Sequence, residues 1–431
     1  MKELIMYEPK IYSLKKNSFT RNRKMTFEDL INYIIVNNGR TSTLELDEFM
    51  EEKYKETMVF MRKQSISDKR MLLNPVIFKD LNIDCLKDVY SLNKEYLETY
   101  KGYYLCAGDG SIFEIPNHKM TREEFEINED CLNYTNPSRA RVSGLYDILN
   151  GYIIDSILDT IHMGELPLIL NNIKNSSKIF PLSQTISIFD RGYPSIELFL
   201  TIMEQSGKFI CRLKTNSYKK EQEAMTRDDE CVKINLNKKR TNKINDPELK
   251  AKAEKMTHLK LRIVKIKLEN GTTEILLTNL PKKLANKNEL KKLYNLRWGI
   301  ETDYDVLKNK LHIENFSGLR KIIIEQDFYS QIFMHNILNE YKLKVNHDNR
   351  EKNKKQEVTK EYQPNINILA GKLKSRLYKI IFSKDIKEQK RIMERILKLA
   401  ENNMILVKKK KPTPRKPYTG NKFPSNIRKN F

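Results

Sequence analysis

The sequence predicts a mixed α/β (α+β) fold, in which an α/β core is flanked by helical regions on both sides. Three observations support this fold class. Residues 103–214 carry short apolar runs and a helical pattern in the order strand, acid, helix, strand. Residues 216–282 are polar with further apolar runs, which predicts a β-strand insertion in the core. The residues before 98 and after 288 have apolar side chains at helical spacing.

The N-terminal region, residues 1–98, is predicted to be helical. Thr26 can cap a helix over residues 27–35, a second helix spans residues 44–60, and a third begins at Ser65. Short helices with basic residues near their start suit contacts with DNA grooves or phosphates, so we expect a DNA-binding domain. The alternative is a helical packing domain with a solvated basic face. The candidate contact residues in this region are Arg62, Lys69 and Arg70.

The central region, residues 99–320, is predicted to be the α/β core. Its strands are expected at residues 103–107, 112–115, 140–148, 152–161, 185–189 and 208–214. Asn150-Gly151 lies between the third and fourth of these and is a strong hairpin signal. A helix is expected from Ser195 to Glu204.

Two acids stand at the ends of predicted strands. Asp109 follows an apolar run and lies between Gly108 and Gly110, while Asp190 follows the buried run 185–189 and precedes a turn. The glycines keep side chains away from an approaching backbone or ligand. Open α/β sheets usually bind ligands at strand ends. Each acid alone is a weak signal, because an acid at a strand end is more often a turn or cap residue.

A third signal comes from a helix that the periodicity predicts over residues 288–311. Four of its polar residues stand at offsets 0, 3, 7 and 14, namely Tyr294, Arg297, Glu301 and Lys308. At about 100° per residue they share one helical stripe. Spacing alone favours an ordinary salt-bridged helix face. Asp305, one turn after Glu301, is an alternative third acid.

The charge balance indicates a polyanionic partner. The chain has 79 Lys and Arg against 56 Asp and Glu, a formal net charge of +23. Nucleic acid is the natural partner of such a surface, and a ribosome-associated or membrane-surface protein is the alternative. The tail, residues 408–431, is strongly basic and is expected to order only on DNA or another subunit.

Cysteine usage and the N-terminus place the chain in a reducing compartment. The five cysteines include Cys131, their number is odd, and no C-x-x-C occurs, which argues against a disulfide framework or a zinc site. The first residues show no apolar leader, and no window of about 18 apolar residues exists. We therefore expect a cytoplasmic protein without a membrane partner.

The run from Tyr294 to Lys308 matches the Y-x2-R-x3-E-x6-K signature at all four positions. In this respect the chain resembles the insertion-sequence-four family of DDE transposases. Residues 108–111 and 189–193 are similar to that family's first and second acid segments, and residues 139–155 to the segment between them. The resemblance covers residues 100–320 well and is weaker at both ends.

This resemblance implies an RNase H-like core with a β-strand insertion after the strand that follows the second acid. It also implies that Asp109, Asp190 and Glu301 hold two divalent ions, Mg²⁺ or Mn²⁺. Residues implied to contact DNA are Tyr294, Arg297 and Lys308, with Arg191, Arg212, Lys214 and Trp298 as further candidates. For Trp298, the single tryptophan, packing in the core is the preferred role, and stacking on a flipped base is the alternative.

The function expected from the resemblance is cut-and-paste transposition in a bacterial cell. Water attacks at a transposon end, and the freed 3′-hydroxyl releases the second strand and later attacks target DNA. The partners would be double-stranded DNA and a second copy of the chain in the synaptic complex, with residues 321–407 as a helical region for dimerisation. The alternatives are a metal-dependent nuclease of the same fold, a catalytically silent DNA-binding protein derived from a transposase, and a structural basic protein. No aromatic residue lies between Tyr218 and Tyr294, so the route of second-strand cleavage stays open.

Overall fold

The computed structural model of the chain describes residues 7–20, 24–37, 39–55, 57–92, 94–127, 137–269, 271–355, 362–383 and 385–407. The basic tail at 408–431 and Cys131 lie outside the described residues. Four free thiols are present within the described ranges, as the odd cysteine count predicts: Cys85, Cys106, Cys211 and Cys231. A search of the described helices finds none that is long and apolar enough to cross a membrane.

Among the described residues, five α-helices precede the first long strand. They are α1 (Pro9–Tyr12), α2 (Phe27–Ile35), α3 (Ser42–Lys53), α4 (Lys63–Arg70) and α5 (Val76–Leu92). Thr26 caps α2 as predicted. Its hydroxyl accepts a hydrogen bond from the Asp29 backbone N–H, and the Asp29 carboxylate accepts one from the Thr26 N–H. This reciprocal capping box fixes the start of α2. The second helix is shorter than predicted, since α3 ends at Lys53.

An eight-stranded mixed sheet forms the centre of the molecule. Its strands are β1 (Tyr104–Glu114), β2 (Arg139–Asp147), β3 (Tyr152–Thr160), β4 (Thr185–Phe189), β5 (Lys208–Leu213), β6 (Asp229–Asn235), β7 (His258–Lys267) and β8 (Thr273–Thr278). The spatial order is β3-β2-β1-β4-β5-β8-β7-β6. β1, β2 and β3 pair antiparallel, and β4 and β5 run parallel to β1 and to each other. The first five strands therefore have the order and directions of an RNase H-like core, as the resemblance implied.

The prediction for the first strand needs a correction. We expected two strands, at 103–107 and 112–115, with Asp109 at the end of the first. The structure instead has one continuous strand of 11 residues, β1, with Asp109 in its middle. Its long antiparallel pairing with β2, which runs from Cys106 to Glu114, holds the intervening residues extended. The Asn150-Gly151 hairpin between β2 and β3 is confirmed, and Gly151 has a φ of +74°.

The insertion contains strands, as predicted, but it extends the core sheet instead of standing apart from it. β8 pairs antiparallel with the core strand β5, and β7 and β6 follow at the edge. Three helices also interrupt the insertion, namely α9 (Lys219–Glu223), α10 (Lys238–Thr241) and α11 (Pro247–Lys255). The insertion therefore adds a wing to the sheet beside β5, close to the strands that carry the acids.

Helices cover both faces of the sheet. α7 (Glu165–Ser176) and α8 (Ile196–Glu204) pack on one face against apolar residues such as Phe189 and Phe209. The other face packs against α12 (Lys287–Asn295), α13 (Trp298–Asn309) and α14 (Lys321–Lys355). A short helix, α6 (Lys119–Glu124), follows β1. This layering buries both sides of the parallel strands.

The C-terminal region is helical, as predicted, with one small addition. After α14 come α15 (Ile366–Phe382) and α16 (Ile386–Asn402), joined to a two-stranded ribbon of β9 (Tyr362–Pro364) and β10 (Met404–Leu406). α14 contacts α2, α5 and β3 as well as α15 and α16. One hydrophobic cluster thus joins the N-terminal helices, the C-terminal helices and one end of the sheet.

Arg70 is a packing residue and not the exposed DNA contact that we predicted. Its side chain is 5% exposed and forms an ion pair with Asp327 at 2.7 Å. It also donates to the Gln326 side chain, the Ser317 hydroxyl and the Ile323 carbonyl. A guanidinium has five N–H donors, and here protein acceptors on and beside α14 engage it. Arg70 therefore ties α4 to α14.

Replacing Arg70 by alanine is expected to lower the free energy of unfolding by about 3–5 kcal/mol, because Asp327 would keep a buried charge without its partner. Urea unfolding followed by circular dichroism measures the change. Arg62→Ala, at the exposed start of the same helix, is the matched control and is expected to change stability by less than about 0.5 kcal/mol. Equal effects of the two substitutions would contradict this role for Arg70.

Candidate active site

Asp109 and Asp190 are brought together by the parallel pairing of β1 with β4. The pairing ends with Gly108 opposite Phe189. The next residues, Asp109 after Gly108 and Asp190 after Phe189, therefore lie beside each other at the end of this ladder. Side chains alternate between the two faces of a strand. Leu105 precedes Asp109 by four residues and packs in the cluster formed with α12, so Asp109 shares that face. The same alternation places Asp190 there.

The third part of the site comes from two helices, whereas we predicted a single helix over 288–311. α12 ends at Asn295 and α13 begins at Trp298. Between them the Arg297 N–H donates to the carbonyl of Tyr294, three residues back instead of four. Leu296 and Arg297 keep right-handed helical dihedral angles. The predicted stripe therefore still faces the acids despite the break.

Arg297 links two of the three acids. Its Nη2 lies 2.7 Å from Glu301 Oε1, and its Nη1 lies 3.4 Å from Asp109 Oδ2. The Arg297 side chain is 5% exposed, while the side chains of Asp109 and Glu301 are 20% and 27% exposed. Tyr294 completes the set, since its hydroxyl donates to Asp190 Oδ1 at 3.1 Å. The structure thus assembles all three predicted acids around Tyr294 and Arg297.

The charges of this cluster alter its acid–base behaviour. Burial raises the pKa of Asp109 to about 6, although the nearby Arg297 charge lowers it. The charges of Glu301 and Asp190 raise it further. Burial lowers the pKa of Arg297, but its hydrogen bond to Glu301 and the charges around it raise that pKa overall. Arg297 is therefore held as a cation among acids that it does not fully neutralise.

Glu301 is the third acid of the cluster, and Asp305 is not. Glu301 accepts from Arg297 and acts on Asp109 through its charge. Asp305 is exposed and accepts a hydrogen bond from the Asn309 side chain at 2.7 Å. The preference for the signature position over the residue one turn later therefore agrees with the geometry.

Two glycines near the acids make room for protein side chains, whereas the glycines beside Asp109 were predicted to leave room for an approaching backbone or ligand. A Cβ on Gly108 would lie 2.6 Å from the Phe189 ring. A Cβ on Gly144 would lie 2.7 Å from the Tyr304 hydroxyl, which donates to the Asp109 carbonyl oxygen at 3.0 Å. Gly144 therefore lets α13 approach β1 closely enough to fix the Asp109 backbone.

Lys308 and Trp298 differ in how they relate to the site. The Lys308 ammonium donates to the Ile112 carbonyl and lies 3.6 Å from Glu314, so protein groups engage it. Trp298 is 52% exposed, and its ring lies 5.3 Å from the Arg297 guanidinium carbon. The expectation that Trp298 packs in the core is wrong, because it begins α13 on the solvent side.

The other predicted DNA contacts are distributed over the surface. Arg62, Arg191 and Lys214 are exposed, and Arg191 directly follows Asp190. Lys69 is half-buried and donates to the Met25 carbonyl. Arg212 is 34% exposed and lies on β5, on the same face as the acids.

Three groups near the acids were missed by the sequence reasoning. Tyr193 is 2% exposed, and its hydroxyl has no hydrogen-bond partner among the described residues. Arg141 and Glu165 form an ion pair at 2.6 Å. Asp109, Glu165 and Arg141 all act on the pKa of Tyr193, so these groups surround it. Tyr193 belongs to the segment that resembles the family's second acid motif, and this resemblance could have indicated that Tyr193 lies near the site. For the third group, Glu274 beside Arg212, the sequence offered no such signal.

The three carboxylates have the chemistry to bind a divalent cation, but Arg297 lies between Asp109 and Glu301. Carboxylate oxygens are the ligands that Mg²⁺ and Mn²⁺ prefer. Asp109 and Asp190 lie side by side, and burial together with the charges of Glu301 and Asp190 raises the pKa of Asp109, so a nearby cation would favour its ionised form. No group of three His, Cys, Asp or Glu in the described part of the chain is arranged to hold an ion. In the structure Glu301 is paired with Arg297 at 2.7 Å.

An RNase H-like sheet with paired acids at β1 and β4 is an arrangement that suits metal-dependent chemistry on phosphodiesters. Residues 143–337 match the family described as "Transposase DDE domain". This segment includes Asp190, Glu301 and the signature from Tyr294 to Lys308, and it begins after Asp109. Residues 143–337 therefore match a transposase DDE domain, which is a domain of the nuclease and transferase class of enzymes.

None of the curated proteins compared with the chain matches it in sequence. Among solved structures, the chain is similar to the piggyBac transposase in a synaptic complex with hairpin DNA, determined by cryo-EM. The TM-score is 0.41 and the identity 12%, over 89% of this chain and 79% of that chain. A likeness of this degree does not bear on function.

The raised pKa of Asp109 predicts a pH-dependent stability. Between the ordinary value of 3.8 and about 6, the folded protein holds a proton that the unfolded chain has lost, so stability falls as pH rises through this window. Relative to Asp109→Asn, the wild type is expected to lose about 1–3 kcal/mol from about pH 4 to about pH 7. Urea unfolding in chelator at both pH values measures this. A difference that stays constant or grows in favour of the wild type would contradict it.

Proposed function

We propose that the chain is a cut-and-paste transposase of the insertion-sequence-four family, which cleaves DNA at transposon ends and joins the freed ends to target DNA. The observation that carries this proposal is that Arg297 and Tyr294 contact all three acids, with Asp109 and Asp190 at the sheet and Glu301 on α13. The match of the Tyr294–Lys308 run to the family signature supports the finer assignment. Both cleavage and joining break a phosphodiester and use an oxygen nucleophile, so one set of acids serves both reactions.

Two divalent ions, Mg²⁺ or Mn²⁺, are the proposed cofactors, and Asp109, Asp190 and Glu301 are the residues that would hold them. When bound, such ions neutralise charge on the scissile phosphate and activate the attacking water or 3′-hydroxyl. The Tyr294 hydroxyl orients the Asp190 carboxylate, and Tyr304 fixes the Asp109 backbone. These two contacts hold the first two acids before any ligand arrives.

Arg297 has the proposed role of a cation that changes partners. In the structure it neutralises part of the charge on Asp109 and Glu301. Its Nε is buried and has no hydrogen-bond partner among the described residues, so one donor is left for another acceptor. A DNA phosphate is a bidentate acceptor of the kind that guanidinium groups prefer. Tyr294, Arg297 and Lys308 are thus proposed to line the path of the transposon end.

The proposed partners are double-stranded DNA, at the inverted-repeat ends and at the target, and a second copy of the chain. The net charge of +23 and the exposed Arg62, Arg191 and Lys214 support DNA as the partner. Bringing two transposon ends together calls for a homodimer in the synaptic complex, for which residues 321–407 are the proposed contact region. The proposed location is the bacterial cytoplasm, at the nucleoid.

Replacing Glu301 by glutamine is expected to reduce cleavage by at least about 100-fold, because the third carboxylate charge is lost. The substrate is a supercoiled plasmid that carries this gene with its natural flanking DNA, incubated with Mg²⁺ or Mn²⁺. Excised and linear products are quantified on gels. Asp305→Asn is the matched control, one turn away and exposed, and is expected to keep activity within about twofold.

The same assay separates the alternative functions. Wild-type cleavage followed by joining of the freed end to a second plasmid supports transposition. Cleavage without joining would identify a metal-dependent nuclease, and DNA binding without cleavage would identify a catalytically silent protein. Normal cutting by Glu301→Gln would overturn the assignment of the third acid.

A further inference from the structure

Arg212 and Glu274 lie on neighbouring strands, on the face of the sheet that carries the acids. β5 and β8 pair antiparallel with Arg212 opposite Leu276, and Glu274 is two residues from Leu276 on the same face. Leu276 packs in the same hydrophobic cluster as Tyr294, whose hydroxyl donates to Asp190. The Arg212–Glu274 pair therefore continues the surface of the candidate active site into the strands of the insertion.

The two side chains differ sharply in exposure. Glu274 is 6% exposed and Arg212 is 34% exposed, and the ion pair joins Arg212 Nε to Glu274 Oε1 at 3.6 Å. The second carboxylate oxygen of Glu274, Oε2, is buried and has no hydrogen-bond partner among the described residues. A buried carboxylate with an unsatisfied oxygen destabilises the fold. The position of the Glu274 carboxylate beside the partly exposed Arg212 guanidinium is therefore better explained by a functional role than by a contribution to stability.

The charged groups around the Arg212–Glu274 pair include an acid of the candidate active site. Burial raises the pKa of Glu274, and the charges of Arg212 and Lys291 lower it. The charge of Asp190 raises it again, which shows that the two carboxylates are near each other. Arg212 also lowers the pKa of Tyr294, although burial and Asp190 raise that pKa overall. Arg212 thus lies between Glu274 on one side and the Tyr294–Asp190 pair on the other.

We infer that Glu274 is a positioning residue, which aims the Arg212 guanidinium at a phosphate of the DNA strand that enters beside Asp190. This inference rests on the proposed function. Glu274 lies 3.6 Å from the Nε edge of Arg212, and the two Nη groups stand outside this ion pair, where a guanidinium can offer paired N–H donors to a phosphate. The insertion would then contribute to binding of the reacting strand through a single buried acid.

A positioning role and a simple charge effect predict opposite signs. Removing an acid near a polyanion strengthens binding if the acid acts through its charge alone. If Glu274 instead holds Arg212 in place, removing its charge weakens binding because the guanidinium is no longer directed at the phosphate. The direction of the change in DNA affinity therefore distinguishes the two roles.

The test measures the affinity of the full chain for a fluorescein-labelled 30-base-pair duplex of mixed sequence by anisotropy at several salt concentrations. Arg212→Ala is expected to weaken binding about 3–10-fold and to reduce the salt slope by about one. Glu274→Gln is expected to weaken binding about 3–10-fold as well. The double variant is expected to bind like Arg212→Ala alone, because both substitutions remove one contact.

Glu274→Asp keeps the charge and shortens the side chain, and it is also expected to weaken binding, so the test does not depend on how well Glu274→Gln folds. The matched control is Glu221→Gln, which breaks a second Arg–Glu pair of the insertion, between Arg240 and a carboxylate that is 10% exposed. Its affinity is expected to stay within about twofold of wild type.

The outcomes are distinct. Tighter or unchanged binding by both Glu274 variants, or losses that add in the double variant, would overturn the positioning role and leave the proposed function intact. A wild-type protein that binds no duplex at any salt concentration would overturn both. Weaker binding by Glu274→Gln and Glu274→Asp, with no further loss in the double variant, supports the inference.

Discussion

The site depends on the buried guanidinium of Arg297, which lies between Asp109 on β1 and Glu301 on α13. These are the first and third acids of the cluster, and they come from elements far apart in the sequence. A buried cation is unfavourable unless it is paired, and here the two carboxylates supply the pairing. The same contact brings α13 onto the sheet, where Tyr304 fills the space that Gly144 leaves and donates to the Asp109 backbone. Packing and electrostatics therefore fix one geometry together.

The balance of charge in the cluster connects this arrangement with catalysis. The cluster has three carboxylates and one guanidinium, which contacts Asp109 and Glu301, and burial raises the pKa of Asp109 to about 6. Such a site is stabilised by added positive charge. At the same time, the positive charge of Arg297 offsets part of the repulsion among the acids. Exchange of Arg297 from carboxylate to phosphate would couple the arrival of DNA to the assembly of the three acids.

Much of the fold could be predicted from the sequence because its signals are local. The capping pattern at Thr26, the Asn150-Gly151 hairpin and the apolar runs of the core each act within a few residues. The spacing of Tyr294, Arg297 and Glu301 could also be read, since residues seven apart return to one helical face. What could not be predicted depends on distant partners. β2 holds β1 extended through Asp109, and α14 buries Arg70. Glu274 gains its neighbours only when β8 pairs with β5.

The central claim is that Asp109, Asp190 and Glu301 form one cation-binding site once Glu301 is released from Arg297. Anomalous diffraction from crystals of the full chain with a short DNA duplex and saturating Mn²⁺ tests it most directly. The expected result is anomalous peaks within about 2–2.5 Å of carboxylate oxygens of Asp109, Asp190 and Glu301, with the Arg297–Glu301 contact broken. Well-ordered acids without an anomalous peak, and with Arg297 still joining Asp109 to Glu301, would contradict it.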